Sequence, residues 1–218
     1  MRAIVHIVDD DPSFLTSTCR LLRASGYEVV TYGSAQQLLE QLPDAASPAC
    51  LLLDVQMPGL SGSELQRRLV ALEFRLPIVF LSGSSDIPTS VQAMKSGAED
   101  FLTKPVERDK LVDAIERAVG RFRVLQEARE RLDASRRLLA TLTPRERQVF
   151  ERVVQGRMNK EIARELGTST RTVKAHRQKV MEKMQVDLLT DLVLIAERLG
   201  ILAVLGRSEE SAARPGER

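Results

Sequence analysis

The chain has 218 residues, of which 43% are hydrophobic, 28% charged and 4% aromatic, with no tryptophan. These proportions suit a soluble globular protein of one or two domains. No apolar run approaches the ~20 residues of a membrane helix, and the N-terminal run Ala3–Val8 is too short, and too soon acidic, for a signal peptide, so a cytoplasmic protein without a membrane partner is expected. Cys19 and Cys50 sit in apolar runs and are expected to be free, buried thiols.

The net charge of +2 is unevenly spread. Residues 1–120 carry 11 Lys/Arg against 16 Asp/Glu, residues 121–141 carry 6 against 3, and residues 142–200 carry 12 against 8. An acidic front joined to a basic back is the asymmetry expected of a regulatory domain attached to a polyanion binder.

In chain order, Ile4–Val8, Val29–Tyr32, Leu51–Val55, Ile78–Leu81 and Phe101–Leu102 read as strands. The first, third and fourth are almost continuously apolar, as strands covered on both faces of a parallel sheet must be. Helical segments lie between them. Ser34–Gln37 and Ser61–Glu64 fit capping boxes, and Gly26 and Gly97 stand where helices end. Five β/α repeats predict a doubly wound, flavodoxin-like α/β domain with five parallel strands over residues 1–120.

Leu111, Ala118, Leu125, Leu132 and Leu139 then recur every seven residues, and from Glu107 to Thr141 there is no proline. A helix is expected there, with residues 121–141 as a helical linker. Arg129 and Arg136 occupy seam positions, which weakens the case for a dimeric coiled coil. Thr143-Pro144-Arg145-Glu146 is a strong helix start. Helices over roughly 159–166, 170–184 and 188–199 complete an all-α four-helix domain at 142–205. Residues 206–218 are polar and expected to be a disordered tail.

The ligand site of such a sheet lies beyond the carboxyl ends of its strands. Asp9 and Asp10 fall at the end of the first strand, Asp54 lies near the end of the third, Ser82 closes the fourth and Lys104 follows the fifth. Crowded carboxylates repel unless a divalent cation sits among them, and an oxygen-rich site suits Mg²⁺. A carboxylate can attack phosphorus to give an acyl phosphate. A metal ion and an ammonium, here from Lys104, stabilise the charge on the equatorial oxygens, and the Ser82 hydroxyl can donate to one of them.

The segments Ile-Val-Asp-Asp-Asp-Pro (7–12), Leu-Leu-Asp-Val-Gln-Met-Pro-Gly (52–59), Leu-Ser-Gly (81–83) and Asp-Phe-Leu-Thr-Lys-Pro-Val (100–106) resemble the motifs of two-component receiver domains, in a spacing similar to the FixJ branch of response regulators. The resemblance implies that Asp54 is the phosphoacceptor. It implies a Mg²⁺ site made by Asp9, Asp10, Asp54 and the Gln56 carbonyl, with Asp10 the direct ligand of the acidic pair. Ser82 and Phe101 match a switch pair, and Pro105 matches a proline often reached through a cis bond. Gln56 and Ser84 match positions that tune dephosphorylation. Asp11 is read as a helix-start residue, and Ser82 stands where threonine is commoner.

In the basic half, Asn159–Gly167 followed by Thr168–Met184 reads as helix, tight turn, helix. Ile162, Ala163 and Leu166 form one inner stripe, and Val173, Val180 and Met184 the other. Arg171, Lys174, Arg177, Gln178, Lys179 and Lys183 occupy the opposite side, as a DNA-recognition helix requires. Leu-Thr-Pro-Arg-Glu-Arg, Asn-Lys-Glu-Ile-Ala and Thr-Val-Lys-Ala-His resemble the LuxR-type helix-turn-helix of the FixJ and NarL group. By that resemblance Lys174, Ala175 and Gln178 face the groove, able to meet guanine, a thymine methyl and adenine respectively. Arg171, Lys179 and Lys183 are expected to hold phosphates. His176 is given a packing or phosphate role, and His6 that of an ordinary strand residue. Leu189, Val193 and Ala196 form a spare apolar face on the last helix, which suggests pairing with a second copy.

The expected function is a DNA-binding transcriptional regulator. A sensor histidine kinase would donate phosphate to Asp54, changing homodimerisation and promoter binding, with RNA polymerase as a further partner. The alternative is a DNA binder whose receiver is a phosphorylation-independent dimerisation scaffold. An enzyme beyond self-phosphotransfer is disfavoured, because dehalogenase-type phosphatases carry an acid two residues after the nucleophile, where this chain has Gln56.

Overall fold

A computed structural model describes residues 2–43, 47–83 and 87–203, without the side chain of Thr89. Its contacts divide into two units, Met1–Gln126 and Glu127–Arg218. Ser84 and the tail expected at 206–218 lie outside the described residues.

The first unit alternates β1 (Ile4–Val8), α1 (Pro12–Ala24), β2 (Glu28–Tyr32), α2 (Ala35–Glu40), β3 (Ala49–Asp54), α3 (Gly62–Ala71), β4 (Ile78–Ser82), α4 (Ile87–Lys95) and β5 (Asp100–Thr103). The strands form one parallel sheet in the order β2-β1-β3-β4-β5. Every residue of β3 and β4 is buried, which is why these runs lack the alternation of a half-exposed strand. Successive side chains still point to opposite faces. Cys50, Leu52, Val79 and Leu81 join one core with Leu111, Ile115 and Ala118. Leu51, Leu53, Ile78 and Phe80 join the other with Leu38, Leu65 and Leu69. Burying each such leucine fully is worth roughly 1.5–3 kcal/mol.

Caps set where the helices begin. Asp11 accepts from the Ser13 N–H at 2.8 Å and Pro12 opens α1. Ser61 and Glu64 form a reciprocal box at α3. At α2 the expected box is incomplete. Ser34 accepts from the Gln37 N–H, but the Gln37 side chain accepts from Gly33, one residue earlier. Cys50 is buried, which pushes its thiol up to about 12, and Cys19 is half-buried; both are free.

Helix α5 runs from Arg108 to Ala140. Its first half contributes Leu111, Ile115 and Ala118 to the first unit. In the second unit, its end supplies Leu138 and Leu139 to a core with α6 (Pro144–Val154), α7 (Asn159–Glu165), α8 (Thr170–Lys183) and α9 (Leu189–Arg198). Thr143 and Glu146 close a reciprocal capping box on α6. Gly167 takes the left-handed φ of +61° that the tight turn between α7 and α8 needs. No helix among the described residues is long and apolar enough to cross a membrane.

Candidate phosphoacceptor site and DNA interface

At the carboxyl edge of the sheet, the ends of β1 and β3 bring Asp9, Asp10 and Asp54 together. One carboxylate oxygen from each lies within 4.8 Å of the others. Asp9 is fully buried, Asp54 nearly so, and Asp10 is exposed. The end of β5 directs Lys104 into the same cluster, with Nζ 2.5 Å from Oδ2 of Asp9 and 2.8 Å from Oδ2 of Asp54. Backbone N–H groups hold the other oxygens. Asp11 donates to Oδ1 of Asp9 at 3.0 Å, and Gln56 to Oδ1 of Asp54 at 3.2 Å.

Burial raises the Asp9 carboxyl above its ordinary value, against the pull of Lys104 and the Asp11 N–H. For Lys104, burial would lower the pKa, but hydrogen bonds and attraction from Asp54 and Asp9 raise it overall. Lys104 therefore remains an ammonium at neutral pH. Its Nζ also lies 4.2 Å from the centre of the Phe14 ring. An all-oxygen set with one exposed carboxylate fits a hard divalent cation that keeps several waters, as Mg²⁺ does. Asp9, Asp10 and Asp54 are the side chains that would hold it.

Ser82 is buried at the end of β4, and its carbonyl accepts from the Lys104 N–H at 2.7 Å. Phe101 is half-buried, its ring centre 6.4 Å from that of Phe80. In register, Phe80 pairs with Phe101 and Ser82 with Thr103, so Ser82 and Phe101 stand on one face of neighbouring strands. Gln56 is exposed, and the Lys104–Pro105 bond is cis.

One contributor carries no chemistry and was missed in the sequence. The Gly62 N–H donates to the Val55 carbonyl at 3.0 Å, and a Cβ at Gly62 would fall 2.1 Å from the Asp54 carbonyl oxygen. The segment Ser-Gly-Ser-Glu reads locally as a capping box. The only other signal was glycine at a first helical position, where proline or a good helix former is usual. His6 also proves more specific than a plain strand residue. It is buried, its Nδ1 lies 3.2 Å from the Tyr32 hydroxyl, and burial lowers its pKa to about 4.

In the second unit, Val173, Val180 and Met184 are buried against α6 and α7 side chains. Arg171, Lys174, Ala175, Gln178 and Lys179 are exposed, and their spacing puts them on one face of α8. Two basic residues expected on that face have internal partners instead. Arg177 is half-buried and donates from Nη1 to Oδ1 of Asn159 at 2.9 Å. Lys183 is half-buried, 2.6 Å from Oε2 of Glu146 and 3.1 Å from the Thr141 carbonyl. His176 is half-buried, with an Nδ1 that has no hydrogen-bond partner among the described residues. The expected pairing face of α9 also divides. Leu189 is exposed and Val193 half-buried, but Ala196 is fully buried beside Leu192. Leu188 and Leu194 are the other large apolar side chains exposed at α9.

The receiver-domain model described as "Response regulator receiver domain" matches residues 5–116, and that of "Bacterial regulatory proteins, luxR family" matches residues 140–196. Nodulation protein W of Bradyrhizobium diazoefficiens is 45% identical over 93% of this chain and 88% of its own. The transcriptional regulatory protein FixJ of the same organism is 40% identical over 91% and 96%. Among solved structures, the response regulator StyR is 43% identical with a TM-score of 0.81, covering 91% of this chain and all of that one. The chain thus matches these regulators in sequence over most of its length, and StyR also in fold. The chain belongs to the two-component response regulators of the FixJ type, with a receiver domain and a LuxR-type DNA-binding domain for transcription regulation.

Proposed function

We propose that Asp54 accepts a phosphoryl group from a phosphohistidine on a sensor histidine kinase, and that this modification changes homodimerisation and promoter binding. The observation that carries the reading is Lys104 Nζ lying within hydrogen-bond distance of both Asp9 and Asp54, with Asp10 completing the carboxylate cluster. An Asp54 oxygen forms a bond to phosphorus as the donor's P–N bond breaks, and the departing imidazole takes a proton from solvent. Asp9, Asp10 and Asp54 would hold a Mg²⁺ ion, which would supply positive charge against the charge developing on the transferring group. Lys104 supplies the fixed positive charge opposite, and the Ser82 hydroxyl is the donor for one phosphoryl oxygen. The backbone carbonyl of Gln56 would be the remaining protein ligand of that ion, and Ser82 with Phe101 forms the switch. Hydrolysis of the acyl phosphate returns Asp54 to a carboxylate, so the only reaction is on the chain itself.

The output domain, taken as residues 142–205 beyond a linker at 121–141, reads base edges with Lys174, Ala175 and Gln178. Arg171 and Lys179 hold phosphates. The exposed and half-exposed side chains of α9, Leu189 and Val193 among them, meet a second copy on DNA, and RNA polymerase is the further partner at a cytoplasmic promoter. Intact mass spectrometry after incubation with Mg²⁺ and a small phosphoryl donor tests the first step. One added phosphoryl group is expected on wild type and none on Asp54→Asn. Equal modification of both chains would remove Asp54 from the reaction.

A further inference from the structure

The basic residues of α8 do not share one environment. Arg171, Lys174 and Lys179 are exposed. Lys183, in the last turn, is bonded to a carboxylate that is itself 3% exposed. The same Oε2 of Glu146 accepts from the Thr143 N–H at 2.8 Å. A single buried oxygen therefore closes the start of α6 and holds the end of α8. The ammonium also donates to the carbonyl of Thr141, the residue that follows α5.

Moving this ammonium to a DNA phosphate would leave Glu146 as an uncompensated buried charge, which costs more than a rim contact returns. Glu146 stays ionised throughout the range where DNA binding is measured. Its carboxyl is held down to about 2 by the Lys183 bond first and the Thr143 N–H next, against burial. The pair adds no net charge to the outer face of α8.

We infer that Lys183 is a positioning residue and not a phosphate contact: it fixes the recognition helix to the start of α6 and the end of α5, so that Lys174, Ala175 and Gln178 meet base edges together. The inference rests on α8 being the helix that enters the groove. It also joins the end of α5 to the end of α8 through one side chain, giving the linker a direct mechanical hold on the reading face.

The test compares two duplexes of equal length, one enriched by the full wild-type chain from a random pool and one of mixed sequence. Lys183→Met/Glu146→Gln replaces a neutral pair by a neutral pair, and glutamine keeps the capping bond. This variant is expected to bind the mixed duplex with the wild-type salt slope, while its preference for the enriched duplex falls on the order of tenfold. Lys183→Arg restores the preference. Lys179→Met instead lowers the slope by roughly 0.9 on both duplexes, as loss of a phosphate contact should. Should the double variant fail to fold by circular dichroism, Glu146→Gln alone is expected to lose preference without a shallower slope. An unchanged preference, or a slope reduced as in Lys179→Met, overturns the inference. A wild-type chain that enriches no duplex overturns the DNA reading itself, and this inference with it.

Discussion

A Cβ placed on Gly62 would lie 2.1 Å from the carbonyl oxygen of Asp54 and 3.1 Å from the Cα of Val55. The neighbours are backbone, which cannot swing aside as a flexible side chain would. The start of α3 is pinned there by the Gly62–Val55 hydrogen bond and the Ser61–Glu64 capping box.

Gly62→Ala should therefore displace the end of β3 and with it the Asp54 carboxylate. A loss of about 1–3 kcal/mol in stability is expected from the overpacking. A drop on the order of tenfold to a hundredfold in the rate of phosphorylation by a small donor should accompany it, since misplacing a reacting group by about 1 Å costs that much. Urea unfolding and time-resolved intact mass would measure the two. A wild-type rate in a folded Gly62→Ala chain would show that the approach does not position Asp54.

The Lys104 ammonium is the cation bonded to both Asp9 and Asp54. Lys104→Met leaves two buried carboxylates facing each other without it. Unfolding in EDTA should show a loss of up to about 3 kcal/mol relative to wild type. Added Mg²⁺ should narrow that gap, because a divalent cation binding the carboxylates of the folded state offsets their repulsion. A gap that Mg²⁺ leaves unchanged would argue against a cation site at these carboxylates.

The architecture was largely legible because buried parallel strands write themselves as continuous apolar runs. Leu51–Leu53 and Ile78–Leu81 could hardly be read otherwise, and strand ends follow from them. Asp9, Asp54, Ser82 and Lys104 were placed at one edge by counting strand ends. What the sequence concealed depends on the approach of distant backbone or on a partner from another helix. Gly62 meets Asp54 only once the chain has turned back on itself. Helical periodicity puts Lys183 on the basic side of α8, yet it cannot reveal that Glu146, 37 residues earlier, reaches that side with an acceptor. On α9 the face expected to pair with a second copy divides between surface and core, because packing and not helical spacing decides which side chains are covered. Ala196 falls inside beside Leu192, in the core that α5, α6 and α8 also fill, while Leu189 stays exposed.

His6 gives the first unit a pH dependence of defined sign. Its ring is buried and neutral, with a folded pKa of about 4 against 6.5 for the free side chain. As pH falls from 6.5 towards 4, the unfolded chain takes up a proton that the folded chain refuses, so stability present above pH 6.5 is progressively lost. The full difference is on the order of 3 kcal/mol. His6→Phe should unfold with a flatter profile across that window, read as the wild-type-minus-variant difference in denaturant midpoint. Parallel profiles would mean that His6 does not titrate in this way.

Coupling between Asp54 and the recognition helix is a free energy between two sites. Its most direct measurement is affinity for a duplex enriched by the full chain, with and without beryllofluoride in the presence of Mg²⁺, alongside oligomeric mass. Wild type should bind several-fold more tightly and shift towards a dimer when beryllofluoride is added, and Asp54→Asn should do neither. Identical affinity and mass for wild type in both conditions would mean that Asp54 does not control the recognition helix, and would leave the receiver as a phosphorylation-independent scaffold.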